Sequence, residues 1–499
     1  GMRQCSYGCI CLSLYVPRCG NLMPDGNGKG EKETVMKNKI FSILLCFCLL
    51  FTLVACGEAE KETERPKPDP PVVDPLDPDE EFKPWEDIPE ATEPVDLNEQ
   101  ILIGSWVTYY RYNIASHDTQ MRRLAQAGIN FNLFPFQWDT ENWDSIEDWK
   151  QIDELCCKYR IVYGICANED LNGANRFSLN QIKEYYAELD SPYCRFVNLK
   201  DEPTTAVIQG TIKRYFDQYR EALPNLVPFT NLLPSYGTGA FSPTYREYIQ
   251  AYVDACPDSE YISTDFYPFL AGGKSYDSKI FSDMEVIRDV AYTSGKIKTH
   301  SFLQSTGFTE KRMTDLNEIR WNIYSYLAYG FKAFSYFNYV CPGESDTEGE
   351  GFYDSLIYRD GTIRDQDLFN GVSALNWQVR ALSPIVMNSD VSAAYHTAEG
   401  YEGVKMLPSD YFLRPKTDGD FIVSYMENKD ASQNSHVMLF NNDYTNSVRA
   451  DFILDSEKGV SGLEYFNPER KEYEKVSLND GSFTLSFDAG EGKIFRLLK

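Results

Sequence analysis

The sequence predicts an α/β fold, a (β/α)8 (TIM) barrel followed by a small C-terminal antiparallel β-sandwich, and three observations predict it. Eight short apolar runs alternate with amphipathic segments between residues 98 and 384. These eight units fill about 290 residues, the usual size of such a barrel, and their number favours closure over an open doubly wound sheet. Between residues 385 and 499, short runs of period two alternate with Asn, Asp and Gly turns, as in a β-sandwich.

The eight apolar runs have the length of strands that are buried on both faces of a parallel sheet. They span residues 101–106, 129–134, 161–167, 196–201, 227–233, 261–267, 297–304 and 331–338. Several of the amphipathic segments between them end in a glycine just before the next run, as helices often do. No glycine-rich phosphate-binding turn follows any of these runs, which argues against a dinucleotide-binding sheet.

The N-terminal part of the chain has the form of a targeting signal. The basic residues 36–39 precede the apolar run 40–54, which is too short for a comfortable membrane span and is typical of a secretory signal peptide. Residues 53–56, LVAC, resemble the bacterial lipobox, which implies that Cys56 is lipidated and becomes the mature N-terminus. We therefore expect residues 1–55 to be a spurious extension before Met36 followed by a lipoprotein signal peptide.

Residues 56–97 are predicted to form an acidic tether. Prolines recur every few residues and no hydrophobic period is present, a composition that stays extended and disordered. Such a tether would hold a folded body away from a membrane that the protein touches only through its lipid anchor. We expect an outer-membrane lipoprotein exposed at the cell surface.

The composition argues against several kinds of partner. The net charge is −27, whereas a nucleic-acid surface requires clustered Lys and Arg, so no nucleic acid is expected. Only four histidines occur, widely scattered, and the cysteines after Cys56 form no Cys-x-x-Cys pair. We expect buried thiols, no metal site and no cofactor.

In a (β/α)8 barrel the functional site forms where the strands end. The predicted strand ends are rich in aromatic rings and amides, which suit the stacking faces and hydroxyl groups of a carbohydrate. The candidate substrate-binding residues are Trp106, Tyr109, Trp138, Asn168, Asn231, Tyr236, Tyr267, Gln304, Tyr336 and Asn338.

The stretch FVNLKDEP, residues 196–203, places Asp201 and Glu202 side by side at the end of the fourth run. A general acid that works near neutral pH needs a carboxyl group with a raised pKa, and both burial and a neighbouring negative charge raise it. We predict that Glu202 is the acid and that Asp201 is a charged neighbour or a substrate ligand. Asp265, at the end of the sixth run, is the candidate second carboxylate.

The same residues carry a resemblance. The Asp-Glu-Pro of residues 201–203 resembles the Asn-Glu-Pro of clan A glycoside hydrolases, in which that Glu is the acid/base. The run LNEIRWNIYSYLAYGFKAFSYFNYV is similar to part of family 42-like glycosidases, and TNLLPSY and STDFYPF resemble stretches of Bacteroidetes lipoproteins grouped with them. The resemblance covers residues 100–385 and the sandwich. It implies a carbohydrate substrate and polysaccharide-utilisation proteins as partners.

The sequence departs from the pattern of the clan at one important position. In the clan a Glu at the end of the seventh strand is the nucleophile, and Gln304 stands at the matching position here. An amide cannot attack an anomeric carbon, so three alternatives stay open. Asp265 is the nucleophile or the base of an inverting reaction; or Asp201 holds a 2-acetamido group that acts as internal nucleophile, as in hexosaminidases; or the barrel binds glycans without cleaving them.

The predicted function is therefore hydrolysis of glycosidic bonds in an extracellular poly- or oligosaccharide. The alternative is a non-catalytic glycan-binding surface lipoprotein built on a degenerate glycosidase barrel. A barrel enzyme of other chemistry, such as a metal-dependent hydrolase, is a weaker third hypothesis.

Overall fold

The computed structural model describes residues 91–109, 117–136, 146–166, 177–237, 239, 244–273, 275–295, 297–341, 351–358 and 360–499. The predicted signal peptide, Cys56 and most of the predicted tether lie outside these residues, and so do Trp138 and Asn168. None of the helices in the described ranges is both long and apolar enough to span a bilayer.

Eight parallel strands form a closed barrel in the order β1-β2-β3-β4-β5-β6-β7-β9, which confirms the predicted fold class. The barrel strands are β1 (Leu102–Tyr109), β2 (Phe131–Phe136), β3 (Val162–Cys166), β4 (Cys194–Asp201), β5 (Val227–Leu232), β6 (Tyr261–Asp265), β7 (Lys298–Gln304) and β9 (Ala333–Phe337). Each overlaps one of the eight predicted apolar runs. Two short strands, β8 (Gly307–Phe308) and β10 (Phe352–Tyr353), pair with each other outside the barrel.

Helices follow the strands and cover the barrel. They are α1 (His117–Gln126), α2 (Ile146–Tyr159), α3 (Leu179–Leu189), α4 (Thr205–Val207), α5 (Lys213–Ala222), α6 (Tyr245–Ala255), α7 (Lys279–Ser294), α8 (Leu316–Ala328), α9 (Gln366–Ala381) and α10 (Ser383–Val386), with a π-helical turn (Ile208–Ile212) between α4 and α5. Capping boxes at Ser178, Thr244 and Asp315 satisfy the free N–H groups at the starts of α3, α6 and α8.

The barrel interior is filled by side chains rather than open. His300 lies fully buried on β7, with the ring of Phe229 at 5.3 Å. Its Nδ1 is 2.8 Å from the hydroxyl of Ser263 and its Nε2 is 2.8 Å from the hydroxyl of Ser335. Burial lowers the pKa of His300 to about 3, so the ring is neutral. Its two hydrogen bonds link β7 to β6 and to β9.

Two further sheets follow the barrel. The strands are β11 (Ser389–His396), β12 (Lys405–Met406), β13 (Leu413–Pro415), β14 (Phe421–Asn428), β15 (His436–Asn441), β16 (Val448–Leu454), β17 (Gly462–Asn467), β18 (Glu472–Lys475), β19 (Ser482–Phe487) and β20 (Gly492–Leu498). The seven-stranded sheet has the order β12-β11-β14-β15-β20-β17-β18, and β13-β16-β19 form the other. All pairings within these two sheets are antiparallel except β11 with β12.

The central strands of the seven-stranded sheet are buried on both faces. On β14, Ile422 and Met426 belong to the same apolar core as the barrel, whereas Phe421 and Val423 pack in the core between the two sheets. Because successive strand residues point to opposite faces, a strand covered on both sides reads as a continuous apolar run. This sheet is therefore the layer that joins the barrel to the three-stranded sheet.

A glycine marks a close approach of this layer to the barrel. A Cβ added to Gly492 on β20 would meet Met438 Cε and would lie 2.6 Å from Cδ1 of Tyr324 on α8. A Cβ added to Gly462, on the adjacent strand β17, would lie 3.4 Å from Leu498 Cδ1, an ordinary contact. Of these two glycines, Gly492 is thus the one that lacks room for a methyl group.

We predict that Gly492→Ala lowers the free energy of unfolding by about 1–3 kcal/mol, because overpacking forces neighbouring side chains to move. Chemical denaturation of the purified protein measures this, with Gly462→Ala as the matched control in the same sheet. Equal stability of the two variants would contradict the close packing described here.

Candidate active site

The candidate site lies where β4, β5 and β6 end. Asp201 is the last residue of β4 and pairs with Asn231 on β5, and Asp265 is the last residue of β6. Parallel strands present their carboxyl ends at one edge, so these three side chains share the same end of the barrel. The structure thus brings together the two aspartates and the asparagine that the sequence places at three separate strand ends.

A β-bulge turns Asp201 inward. Along β4, Phe196 and Asn198 keep a regular register with β5, but the register shifts between Asn198 and Lys200. Phe196 faces the barrel interior, where its ring packs 5.9 Å from that of Phe229. In a regular strand Lys200 would follow these residues inward; the extra residue places Asp201 beside Asn231 instead.

Glu202 takes an uncommon backbone conformation. Its φ is 46°, in the left-handed region that residues with a Cβ adopt at a cost of about 1–2 kcal/mol, and Pro203 follows it. The N–H of Glu202 donates to the carbonyl oxygen of Asn231 over 2.9 Å, which holds the turn against β5. The residue as a whole is partly exposed.

The amide of Asn231 bridges the two aspartates. Its Nδ2 donates to Oδ1 of Asp201 over 3.1 Å and to Oδ1 of Asp265 over 3.2 Å. Its Oδ1 accepts from the hydroxyl of Ser263 over 3.0 Å, which fixes the orientation of the amide. Since the Ser263 proton is used in this way, the hydroxyl accepts from His300, whose proton must then lie on Nδ1.

Burial raises the pKa of all three carboxyl groups. The pKa of Asp201 rises to about 6, and the hydrogen bond from Asn231 opposes the rise. The pKa of Glu202 rises to about 7, first through burial and then through the negative charge of Asp201. Asp265 is only 6% exposed, and burial and the charges of Glu202 and Asp201 raise its pKa well above its usual value. A carboxyl group that retains a proton near neutral pH is therefore present.

Three of the predicted aromatic residues differ in exposure. Tyr236, after β5, is 41% exposed, and its ring packs edge-on against Phe266 at 5.2 Å. Tyr267 is buried and packs 5.0 Å from Phe337. Trp106 is also buried and meets Phe337 edge-on at 6.4 Å. Of these rings only Tyr236 offers a large exposed surface at the site.

The other predicted substrate-binding residues occupy different positions. Gln304 is fully buried; its Oε1 accepts from the N–H of Phe269 at 2.9 Å, and its Nε2 donates to the carbonyls of Phe269 at 3.0 Å and Arg312 at 2.7 Å. Tyr336 is fully buried and donates to Asn376 on α9, on the helix side of the barrel wall. Both side chains are thus used inside the fold.

Two more predicted positions complete the comparison. Asn338 is fully buried after β9 and accepts from the hydroxyl of Ser105 over 3.4 Å. Tyr109 is the last residue of β1, and its side chain is outside the described part of the structure.

Sequence reasoning missed Ser263, His300 and also Lys311, whose Nζ lies 5.7 Å from the centre of the Tyr236 ring. Ser263 and His300 lie inside apolar strands, where a single polar residue gives no sign of a function. Lys311 lies in a segment without a motif. A histidine in the middle of a buried run was the one available signal for the hydrogen-bonded network. Within the described ranges, no group of three or more His, Cys, Asp or Glu residues is arranged to hold a metal ion.

No protein-family model matches the sequence, and a comparison with curated proteins finds no significant match. Among solved structures, a family 42 β-galactosidase from G. stearothermophilus, Gan42B, is similar with a TM-score of 0.48 and 9% identity, over 82% of this chain and 100% of that chain. A family 5 glycoside hydrolase from Bacteroides vulgatus has a TM-score of 0.46 and 10% identity, over 84% and 94%.

A family 51 α-L-arabinofuranosidase from Bifidobacterium longum, AbfB, has a TM-score of 0.43 and 11% identity, over 80% of this chain and 96% of that chain. Barrels of this kind carry many unrelated activities, so likenesses of this degree assign no activity to this chain.

Proposed function

We propose that the protein is a glycoside hydrolase that cleaves glycosidic bonds in an extracellular poly- or oligosaccharide, with Glu202 as the general acid. One observation supports this above all others. Glu202 is a partly exposed residue at the carboxyl end of the barrel, and burial and the charge of Asp201 raise the pKa of its carboxyl group to about 7. A general acid for a leaving alkoxide requires this combination of access and proton affinity.

The ionised partner in the proposal is Asp201. With a pKa of about 6 it is mostly ionised at neutral pH, whereas Asp265 is more deeply buried, faces both neighbouring charges and is harder to ionise. A fixed negative charge beside the reacting carbon stabilises the positive charge that develops on the sugar ring. Asn231 holds this carboxylate by its hydrogen bond.

In the proposed reaction, the carboxyl cluster gives up one proton and regains one. Glu202 gives its proton to the glycosidic oxygen as the bond from the anomeric carbon to that oxygen breaks. Water then adds at the anomeric carbon, and its proton returns to a carboxylate of the cluster. The anomeric configuration of the first product, read by NMR, distinguishes retention from inversion.

A second candidate function is glycan binding without hydrolysis. Gln304 stands where the resemblance places the clan's nucleophile, and its amide is fully engaged by the backbone of two segments. Calorimetry that shows glycan binding, with no product after prolonged incubation, would favour this function over hydrolysis.

We predict that Glu202→Gln lowers turnover on a responsive glycan by at least about 100-fold, because proton transfer contributes factors of this size. Glu188→Gln, on the exposed face of α3, is the matched control and should keep wild-type turnover. Reducing-end release from a polysaccharide panel measures both. Turnover of Glu202→Gln equal to that of the wild type would rule out Glu202 as the acid.

We predict that Asp201→Asn shifts the alkaline limb of the kcat/KM pH profile to lower pH. Glu202 must be protonated to act, and the charge of Asp201 is one cause of its raised pKa. Removing that charge lets Glu202 lose its proton at lower pH. Asp217→Asn, on the outer face of α5, is the control, and an alkaline limb that stays in place in Asp201→Asn would contradict the coupling.

We further propose that the enzyme is anchored at the outer cell surface through Cys56 and acts beside polysaccharide-utilisation proteins. The lipobox-like residues 53–56 and the acidic tether support this. Incorporation of a labelled fatty acid in a bacterial host should occur in the wild type and be lost in Cys56→Ala. Equal labelling of the two proteins would refute the anchor.

A further inference from the structure

Tyr236 forms an aromatic platform beside the carboxyl cluster. The ring is 41% exposed, and Phe266 supports it edge-on at 5.2 Å. Phe266 directly follows Asp265 at the end of β6, which places the platform at the same end of the barrel as the carboxyl cluster. Burial, and then the charges of Asp265 and Glu202, raise the pKa of the Tyr236 phenol. A sugar ring that stacks on Tyr236 would therefore sit next to the proposed point of cleavage.

A lysine stands at this platform. The Nζ of Lys311 lies 5.7 Å from the centre of the Tyr236 ring and donates to the carbonyl oxygen of Tyr267. The backbone of Lys311 is itself held, since its N–H donates to Phe308 over 2.7 Å and its carbonyl accepts from the hydroxyl of Tyr353 over 3.0 Å. These backbone hydrogen bonds and the side-chain hydrogen bond to Tyr267 hold Lys311 at this position.

The ammonium group of Lys311 has N–H donors beyond the one that it gives to Tyr267. In the part of the chain that the structure describes, Lys311 makes no ion pair within 4.0 Å. Burial lowers its pKa, and the charges of Asp277 and Glu310 only partly oppose this. A partly desolvated ammonium with spare N–H donors gains strongly from an anionic acceptor.

Lys311 also does not neutralise the carboxyl cluster. The pKa of Glu202 is governed by burial and by Asp201, and the cation that lowers the pKa of Asp201 is Lys200. The observed aromatic neighbour of the Lys311 ammonium group is the ring of Tyr236, with its centre 5.7 Å away.

We propose that Tyr236 and Lys311 form a subsite for an anionic sugar, whose ring stacks on Tyr236 and whose carboxylate or sulfate group accepts hydrogen bonds from the ammonium group of Lys311. This inference rests on the proposed function in placing a glycan at the barrel end, and it adds the substrate class. A uronic acid and a sulfated sugar share the required chemistry, so both are tested.

The experiment uses the Glu202→Gln protein, so that binding is measured without turnover. The glycans are compared as matched pairs of an acidic form and its neutral derivative: polygalacturonate oligosaccharides and their methyl esters, heparosan oligosaccharides and their carboxyl-reduced forms, and sulfated carrageenan oligosaccharides and their desulfated forms. We expect the acidic member of at least one pair to bind at least about tenfold more tightly, the effect of one charge-assisted hydrogen bond. We expect this preference to weaken as salt is added.

Lys311→Met in the same background should remove the preference for the acidic member and leave binding of the neutral member within about twofold, whereas Lys311→Arg should keep the preference. Lys213→Met, which removes a charge from the outer face of α5, is the matched control. Tyr236→Ala should weaken both members of the pair. Thermal unfolding shows whether each variant is folded.

The outcomes separate the two proposals. Acidic preference that depends on Lys311 supports the subsite even if the wild type releases no product, in which case hydrolysis fails alone. Glu202-dependent cleavage of neutral glycans without acidic preference overturns the subsite and leaves the hydrolase standing. Absence of acidic preference in every pair, or preference unchanged in Lys311→Met, also overturns the subsite.

Discussion

The side-chain amide of Asn231 donates from one nitrogen to both Asp201 and Asp265, and the candidate site depends on this pair of hydrogen bonds. Ionised carboxyl groups that lie close together and are shielded from water repel each other. A hydrogen-bond donor that they share offsets part of that repulsion. The amide is oriented in this direction because its oxygen accepts from the hydroxyl of Ser263. That hydroxyl in turn accepts from Nδ1 of the neutral His300 ring. The pKa of His300 lies at about 3, so this orientation persists across the pH range in which the carboxyl groups titrate.

The seventh strand serves the site in another way. Gln304 ties the segment after β6 to the segment after β7 through backbone hydrogen bonds at Phe269 and Arg312. Lys311 lies within the second segment, next to Arg312, and reaches back to the first at Tyr267. The strand end at which the resemblance implies a nucleophile thus fixes two segments at the rim, while the titrating groups gather on β4, β5 and β6.

The C-terminal sheets contribute rigidity rather than chemistry in the part of the chain described. The seven-stranded sheet shares one core with the barrel and a second with the three-stranded sheet, so its central strands are buried on both faces. On α7, Arg288 pairs with Glu285 at 2.6 Å and donates to the carbonyl of Ser392 on β11 at 3.0 Å. A buried ion pair with satisfied donors fixes the relative position of the packed layers.

The sequence alone determined the barrel. The alternation of apolar runs and amphipathic segments is a local pattern, and the number of these runs, eight, favours closure of the sheet. It also located Asp201, Asn231 and Asp265 at strand ends, which parallel pairing brings to one edge. The tertiary structure decided which way side chains face. The bulge that turns Asp201 inward, the outward Tyr336 and the placement of Lys311 at Tyr236 all depend on register and on contacts between segments far apart in the chain. Local residue patterns do not encode such contacts, because their free energies arise only when the distant segments meet.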